Sequence, residues 1–384
     1  MLLSIIIPTH NRSRYAIPTI KSACSLSNQI EIIVSDTSKN DDLSEIFFKE
    51  ITDGQLKVLR PGKPLSVVEN FNCALSHAAG KYIIFIGDDD LVHESVIEIA
   101  TWAFKNKIEA IRCTLPASYY WPDFHSRYYG LQYASRLAIR KFSALPRKIE
   151  PRSSYVAAMS DFGGGVGAMP RAYLGMISSD LVDKVARKYG KLFGGVSPDI
   201  YSAALIANCA ENVIELDYPF IVPGSSGAST SGQSASGGHK GDLRDNDHIR
   251  PFRDLVWDAR IPEFYCVPSV WAFSLLMASK LVDNGSPNFV ALYVKCLLRH
   301  PSYWLQIFRA LRVYSIESNW ISVFVQIAKS IQHELKSQVA RITRKILDPR
   351  ATGGAEIVFS DIKTSFSAKL ELSTYLQDRV LKLD

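Results

Sequence analysis

The chain is predicted to be an α/β protein, a doubly wound and mostly parallel sheet followed by a helical C-terminal extension. Three observations lead there. Over residues 1–115 short apolar runs alternate with helical patterns, which is how a parallel sheet with crossover helices reads in sequence. The run KYIIFIGDDDL at residues 81–91 passes from a strand apolar on both faces straight into three aspartates. Beyond residue 250 the apolar spacing changes to that of helices.

The elements follow in order. Residues 2–8 read as a buried strand, with Thr9, His10, Asn11 and Arg12 as a polar turn at its carboxyl end and a helix over 13–27. Residues 29–35 form a second strand that ends at Asp36 in the turn DTSKNDD. A helix over 43–51, a strand over 56–59 and a helix over 65–79, stopped by Gly80, come next. The strand at 82–86 enters the aspartates, a helix covers 94–105, and 110–114 is a fifth strand. The polar ends at Thr9, Asp36 and Asp88 then share one sheet edge, the carboxyl edge, where open α/β sheets bind ligands. No G-x-G-x-x-G follows the first strand, so a nucleotide held by side chains such as Asp36 fits better than a dinucleotide on a glycine loop. Three crowded acids raise one another's pKa unless a positive group sits between them. A divalent cation with oxygen ligands, Mn²⁺ or Mg²⁺, is the usual remedy, and a solvated turn capping the next helix is the plainer one.

Residues 116–150 leave this alternation. The segment SYYWPDFHSRYYG, which includes Trp121, is either a platform for stacking on sugar faces or a β-hairpin filling its own small core. A basic run near 136–148 would suit a phosphate or a solvated surface. DFGGGVGAMP at 161–170 brings Gly164 and Gly165 into a stretch suited to close backbone approach or to an irregular turn. A helix is expected over 177–189, and another opens at Asp199, where an acid is ordinarily a cap. Residues 211–222 hold a short strand pair. The Ser/Gly-rich segment that follows, with His239 near its end, reads as a flexible linker or an active-site lid. Phe324, Ala328, Ile331, Leu335, Val339, Ile342 and Ile346 mark one apolar face of a long helix, whose other face carries Lys329, Lys336, Arg341, Arg344 and Lys345. That pattern is expected to pack on the core with its basic side solvated, or to lie on an anionic membrane surface.

Composition narrows the setting. At 47% hydrophobic and 21% charged the chain is ordinarily globular, and its net charge of +6 is too small to argue for nucleic acid. Six scattered cysteines without a Cys-x-x-Cys pair suggest reduced thiols and a cytoplasmic protein. The start MLLSIIIPTHN reads as a strand rather than a signal peptide, and the apolar stretch at 270–282, broken by Lys280, is too short to span a membrane.

SIIIPTHNR, the acidic turn after EIIVSD, and the block NFNCALSHAAGKYIIFIGDDDL together resemble a family 2 glycosyltransferase of the GT-A fold, strongly over residues 1–105 and less clearly to about 225. The resemblance implies transfer of a sugar from a nucleotide-diphosphate donor, with inversion and with Mn²⁺ or Mg²⁺, to a glycan or lipid-linked acceptor of a bacterial surface polysaccharide. It implies a donor half at 1–115 and an acceptor half at 116–223; composition and apolar spacing add a loop at 224–250 and a helical region at 251–384. Many members read Asp-x-Asp-Asp where this chain has Gly87-Asp88-Asp89-Asp90. Metal contact accordingly falls to Asp89, and Asp88 takes a ribose role or supports the metal ligands from behind. Pro8, Thr9, Asn11 and Asp36 would line the nucleotide pocket. Asp199 takes the place of the general base, Gly164 and Gly165 that of the glycine loop between donor and acceptor, and His239 that of a histidine completing the metal site. A sugar-phosphate nucleotidyltransferase would need a glycine-rich basic loop where PTHNRSRY stands, and a non-catalytic sugar-binding protein would explain the missing first aspartate.

Overall fold

In a computed structural model, residues 1–27, 29–39, 43–252, 254–282, 285–316, 320–347 and 354–383 are described. Asn40, Asp41 and Asp42 of the acidic turn lie outside them, as do the side chains of Phe324, Arg341, Ile342, Arg344, Lys345 and Ile346. The central sheet has eight strands among the described residues, in the order Leu56–Leu59, Ile30–Asp36, Leu3–Thr9, Tyr82–Phe85, Gly175–Ser178, Ala110–Cys113, Val213–Leu216 and Pro146–Ile149. The first four run parallel. Gly175–Ser178 is antiparallel to both of its neighbours. Val213–Leu216 is parallel to Ala110–Cys113, and Pro146–Ile149 closes the edge antiparallel. This is the mostly parallel sheet with flanking helices that the alternation predicts.

Period-two alternation explains why its middle is apolar throughout. In Leu3–Thr9, Ile5 and Ile7 point into one core layer and Ile6 into the other, all fully buried. Two layers of helices therefore have to cover the sheet. The layer that takes Ile6 contains the Pro151–Ser160, Pro198–Ala207 and Val267–Ser279 helices; the other contains Ser13–Cys24 and Ser95–Lys105.

Several expectations are corrected. The helix expected over 177–189 begins two residues later, because Gly175–Ser178 is a strand; Ser178 ends it and caps the Ser179–Tyr189 helix, accepting from the Leu181 amide at 3.1 Å. The strand pair expected within 211–222 is not a hairpin. Val213–Leu216 joins the main sheet, whereas Ile221–Val222 pairs with Leu91–Val92 just after the aspartates. The expected 43–51 helix is two short pieces, Leu43–Ile46 and Phe48–Thr52. The Ser/Gly-rich segment holds a helix, Thr230–Ser236, capped by Ser229 and ended by Gly237 at φ 85°.

The C-terminal region divides in two. Trp320–Leu347 packs through Val323 and Ile327 on the Phe289–Arg299 helix, and its buried Glu334 pairs with Arg299 at 2.7 Å. Ile331, Leu335 and Val339, expected in the core, are exposed instead, because the contact with that neighbour falls on another side of the helix. Ile357–Phe359 returns to pair with Arg136–Ile139, and Ser365–Leu376 lies on the first helix. Among the described residues no helix is long and apolar enough to cross a membrane.

Candidate active site

Thr9 and Asp36 stand side by side where their parallel strands end, and the turn after Tyr82–Phe85 places Asp88, Asp89 and Asp90 next to them. All three aspartates are buried. Asp88 accepts from the Thr9 hydroxyl at 2.6 Å. Asp90 accepts from the amides of Gly87 and Gly224, both at 2.6 Å, and from the Tyr173 hydroxyl at 3.2 Å. Asp89 Oδ2 accepts from the amide and hydroxyl of Ser226, at 3.1 and 2.7 Å. The chain reaches these groups because Ile221–Val222 pairs with Leu91–Val92 and so lays Gly224–Ser226 across the turn. Gly224 is required there: a Cβ would collide with the Asp89 carbonyl oxygen.

Arg12 lies across the front of the cluster. Its Nη1 is 3.2 Å from Asp88 Oδ1 and its Nη2 is 3.0 Å from Asp89 Oδ2, and Nη2 also donates to the Ser226 hydroxyl at 2.8 Å. Burial pushes the Asp88 carboxyl up to about 7 although Arg12 draws it down, with Asp89 adding repulsion. Asp90 is also pushed up to about 7, by burial and by Asp89.

On the far side, Asp199 sits in the first turn of the Pro198–Ala207 helix. Its Oδ1 accepts from the Ser197 hydroxyl and, at 2.8 Å, from the Ile200 amide, which leaves Oδ2 for another partner. Tyr173 donates to Asp90 and also lies in the field of Asp199. Burial raises its hydroxyl well above the ordinary value, and the charges of Asp90, Asp89 and Asp199 add to that. Arg171 also lies in the field of Asp199; burial lowers its pKa and Asp199 raises it, and its Nε is buried without a hydrogen-bond partner.

The other expected residues are placed as follows. Asp36 accepts from the Arg60 guanidinium at 2.8 Å and from the Ser38 amide at 2.8 Å. Asn11 is in the left-handed region at φ 53°, its amide donating to the Ser38 hydroxyl at 2.6 Å, and Pro8 precedes Thr9 on the same strand. Trp121 is buried and donates to the Asp89 carbonyl at 2.9 Å. The surrounding aromatics, Tyr120, Phe124 and Tyr133, pack on each other as the hairpin reading expects. Gly164 lies against the Asp161 carboxylate, which pairs with Lys295 at 2.5 Å, and Gly165 at φ 110° faces the Trp271 ring.

His239 is not brought to the aspartates. Its ring nitrogens bond Ser234 at 2.8 Å and the Tyr265 hydroxyl at 2.7 Å, and burial pushes it down to about 4. Among the described residues no group of three His, Cys, Asp or Glu is arranged to hold a metal ion. As folded, the carboxylate oxygens that a divalent cation would take are held by Arg12 and Ser226.

Arg12, Tyr173, Gly224 and Ser226 are the groups that sequence reasoning missed. Arg12 stood in view within the polar turn after the first strand, but the others come from segments 83 to 137 residues from the aspartates they touch.

With this geometry in view, residues 4–153 match the sequence profile described as Glycosyl transferase family 2. The matched segment belongs to that family. Curated relatives match over shorter lengths. An uncharacterized glycosyltransferase of Rickettsia conorii is 35% identical over 98 residues, 25% of this chain and 16% of the relative. The Escherichia coli UDP-Glc:alpha-D-GlcNAc-diphosphoundecaprenol beta-1,3-glucosyltransferase WfaP is 37% identical over 90 residues, 23% of this chain and 36% of WfaP. The chain thus spans well under two thirds of these relatives. Among solved structures, Staphylococcus aureus TarS 1-349 in complex with UDP-GlcNAc gives a TM-score of 0.46 at 13% identity, covering 98% of this chain and 92% of that one.

Proposed function

We propose that the protein is an inverting glycosyltransferase that moves a sugar from a nucleotide-diphosphate donor, a UDP-sugar best of all, to a glycan or lipid-linked acceptor in the assembly of a bacterial surface polysaccharide. One observation carries the reading: the segment that matches family 2 ends its parallel strands in a buried aspartate turn, with Asp88 bonded to Thr9 and Asp90 to Tyr173, and Asp199 is read as the base facing it. The family match and the relatives that are glycosyltransferases support it.

Pro8, Thr9, Asn11 and Asp36 form the nucleotide side, with Asp88 beside the ribose. Asp199 Oδ2 takes the proton of the acceptor hydroxyl while that oxygen attacks the anomeric carbon. The bond from that carbon to the diphosphate oxygen breaks, its electron pair leaves with the nucleotide diphosphate, and attack from the opposite face inverts the centre. No covalent sugar-enzyme intermediate is required. Arg171, buried in the field of Asp199, supplies positive charge near the base. Mn²⁺ or Mg²⁺ would supply charge neutralisation at the diphosphate, with Asp89 to hold it; as folded, Arg12 closes that carboxylate pair. The 224–241 segment, whose start already grips Asp89 and Asp90, acts as a lid that excludes water from the donor.

A second reading, a nucleotide-sugar-binding protein without turnover, is favoured by Gly87 in place of an acid and by that same closure. A panel of nucleotide sugars incubated with and without Mn²⁺ decides between them. Released nucleotide diphosphate supports the transferase, and binding with no release under any condition supports the second reading.

A further inference from the structure

The Asp88–Asp89 pair already has a cation. Arg12 places one guanidinium nitrogen on each carboxylate, at 3.2 and 3.0 Å, and shares the Asp89 side with the Ser226 hydroxyl. The planar fork suits this better than an ammonium would, because its two ends reach two acids at once. The arginine is itself held in place. Its guanidinium lies 5.2 Å from the Tyr15 ring centre, and its Nε is buried with no acceptor. The guanidinium has therefore given up part of its hydration to reach the aspartates, and their charge, with the Ser226 hydroxyl and the Tyr15 ring, offsets that. Asp90 is occupied separately, by the two amides and by Tyr173, so it offers no alternative landing point.

A divalent ion bound to Asp88 Oδ1 and Asp89 Oδ2 would sit where the guanidinium ends now are. Two positive groups about 4 Å apart repel strongly at the effective dielectric of a partly buried site. Both cannot occupy the pair. Arg12 has the means to leave: its side chain is 23% exposed, against 4% and 6% for the two acids, so it can turn outward while they cannot.

We propose that Arg12 is the resident cation of this site, that it excludes a free divalent ion from Asp88 and Asp89, and that an ion enters only when something else, such as the donor's diphosphate, takes over the guanidinium. This rests on the reading of the aspartate turn as the donor site. It adds that the protein should be blind to Mn²⁺ alone.

The test uses the full chain and Mn²⁺ without any nucleotide, followed by the loss of the free-ion electron paramagnetic resonance signal and by the shift in melting temperature. The wild type should show no binding below the millimolar range and no thermal shift. Arg12→Met should bind Mn²⁺ at least about tenfold more tightly and be stabilised by it, since the repelling charge is gone and the acids are left unpaired. Arg12→Lys keeps a charge but cannot span both acids, so it should fold readily and show a smaller gain of the same sign; it carries the test if the methionine variant does not fold. Tight Mn²⁺ binding by the wild type would overturn the proposal. So would a folded variant at Arg12 with no gain in affinity. Because no donor or acceptor is present, these outcomes are independent of whether the protein transfers sugar, which the nucleotide-sugar panel reads separately.

Discussion

A carboxylate in the first turn of a helix can be a cap or a base, and Asp199 has features of both. Its Oδ1 takes the Ile200 amide and the Ser197 hydroxyl, as a cap would, while Oδ2 is left over. Asparagine can reproduce the Oδ1 contacts but cannot accept a proton. Asp199→Asn should therefore leave stability nearly unchanged, and it should leave donor affinity intact because Asp36 and Asp88 lie on the other side of the site. Turnover should fall by roughly 10² to 10⁴. Rates at saturating donor, with a thermal melt alongside, check this. A variant of normal activity would move the base elsewhere, with Asp161 a weak successor because Lys295 already holds it.

At the scale of elements, the aspartate turn depends on a segment that local sequence describes poorly. The run of serines and glycines at 224–238 has the composition of a linker, yet Gly224 and Ser226 clamp the acids and Ser229 caps a short helix. Its far end is fixed by His239, between Ser234 and Tyr265. Burial pushes His239 down to about 4, with His248 and His300 adding repulsion, so the folded segment binds this proton less readily than an unfolded one. The anchoring is therefore fully present above pH 6.5 and is lost as the pH falls from there towards 4. His248, also lowered by burial, acts in the same direction. Hydrogen exchange across 224–241 should accelerate between pH 7 and pH 5 beyond the intrinsic pH effect, and His239→Gln should flatten that response. The same measurement with a nucleotide sugar present should slow exchange if the segment is a lid; equal protection with and without donor would leave it a fixed cover.

Across the whole molecule, the end of the chain supports its beginning. In the Ser365–Leu376 helix, Ala368 and Leu372 are fully buried in the core layer of the first helix, and Lys369 donates to the Ser25 hydroxyl at 2.7 Å. Ser365 meets Thr19 at 3.1 Å, and Thr19 in turn donates to the Asp90 carbonyl at 3.2 Å. The last helix is thus two hydrogen bonds from the acidic turn. Leu372→Ala should cost about 2–5 kcal/mol, the range for removing a buried leucine side chain. A single melting transition that shifts down as a whole would show that this helix is part of the N-terminal fold; an unchanged melt would make it an appendage.

Local pattern was enough to read the parallel half of the sheet and the position of its polar ends. Strands such as LSIIIPT and YIIF are apolar on both faces, and that pattern is local, set by neighbours two residues apart. It also placed Asp88–Asp90 and Asp199 where a ligand could meet them, because each stands at the end of a strand or the start of a helix that the local pattern marks. Tertiary structure alone decided what closes the site. Gly175–Ser178 is four residues long and sits between strands that precede it by more than sixty residues, so its pairing has no local trace. Tyr173, Gly224 and Ser226 become site residues only through such pairings. The same holds for the long C-terminal helix, whose apolar period was legible but whose buried side, Val323 and Glu334 rather than Leu335 and Val339, was chosen by the helix it met. Local periodicity records which faces are apolar; which of them is covered, and which cation reaches a cluster of acids first, depends on contacts between residues far apart in the chain.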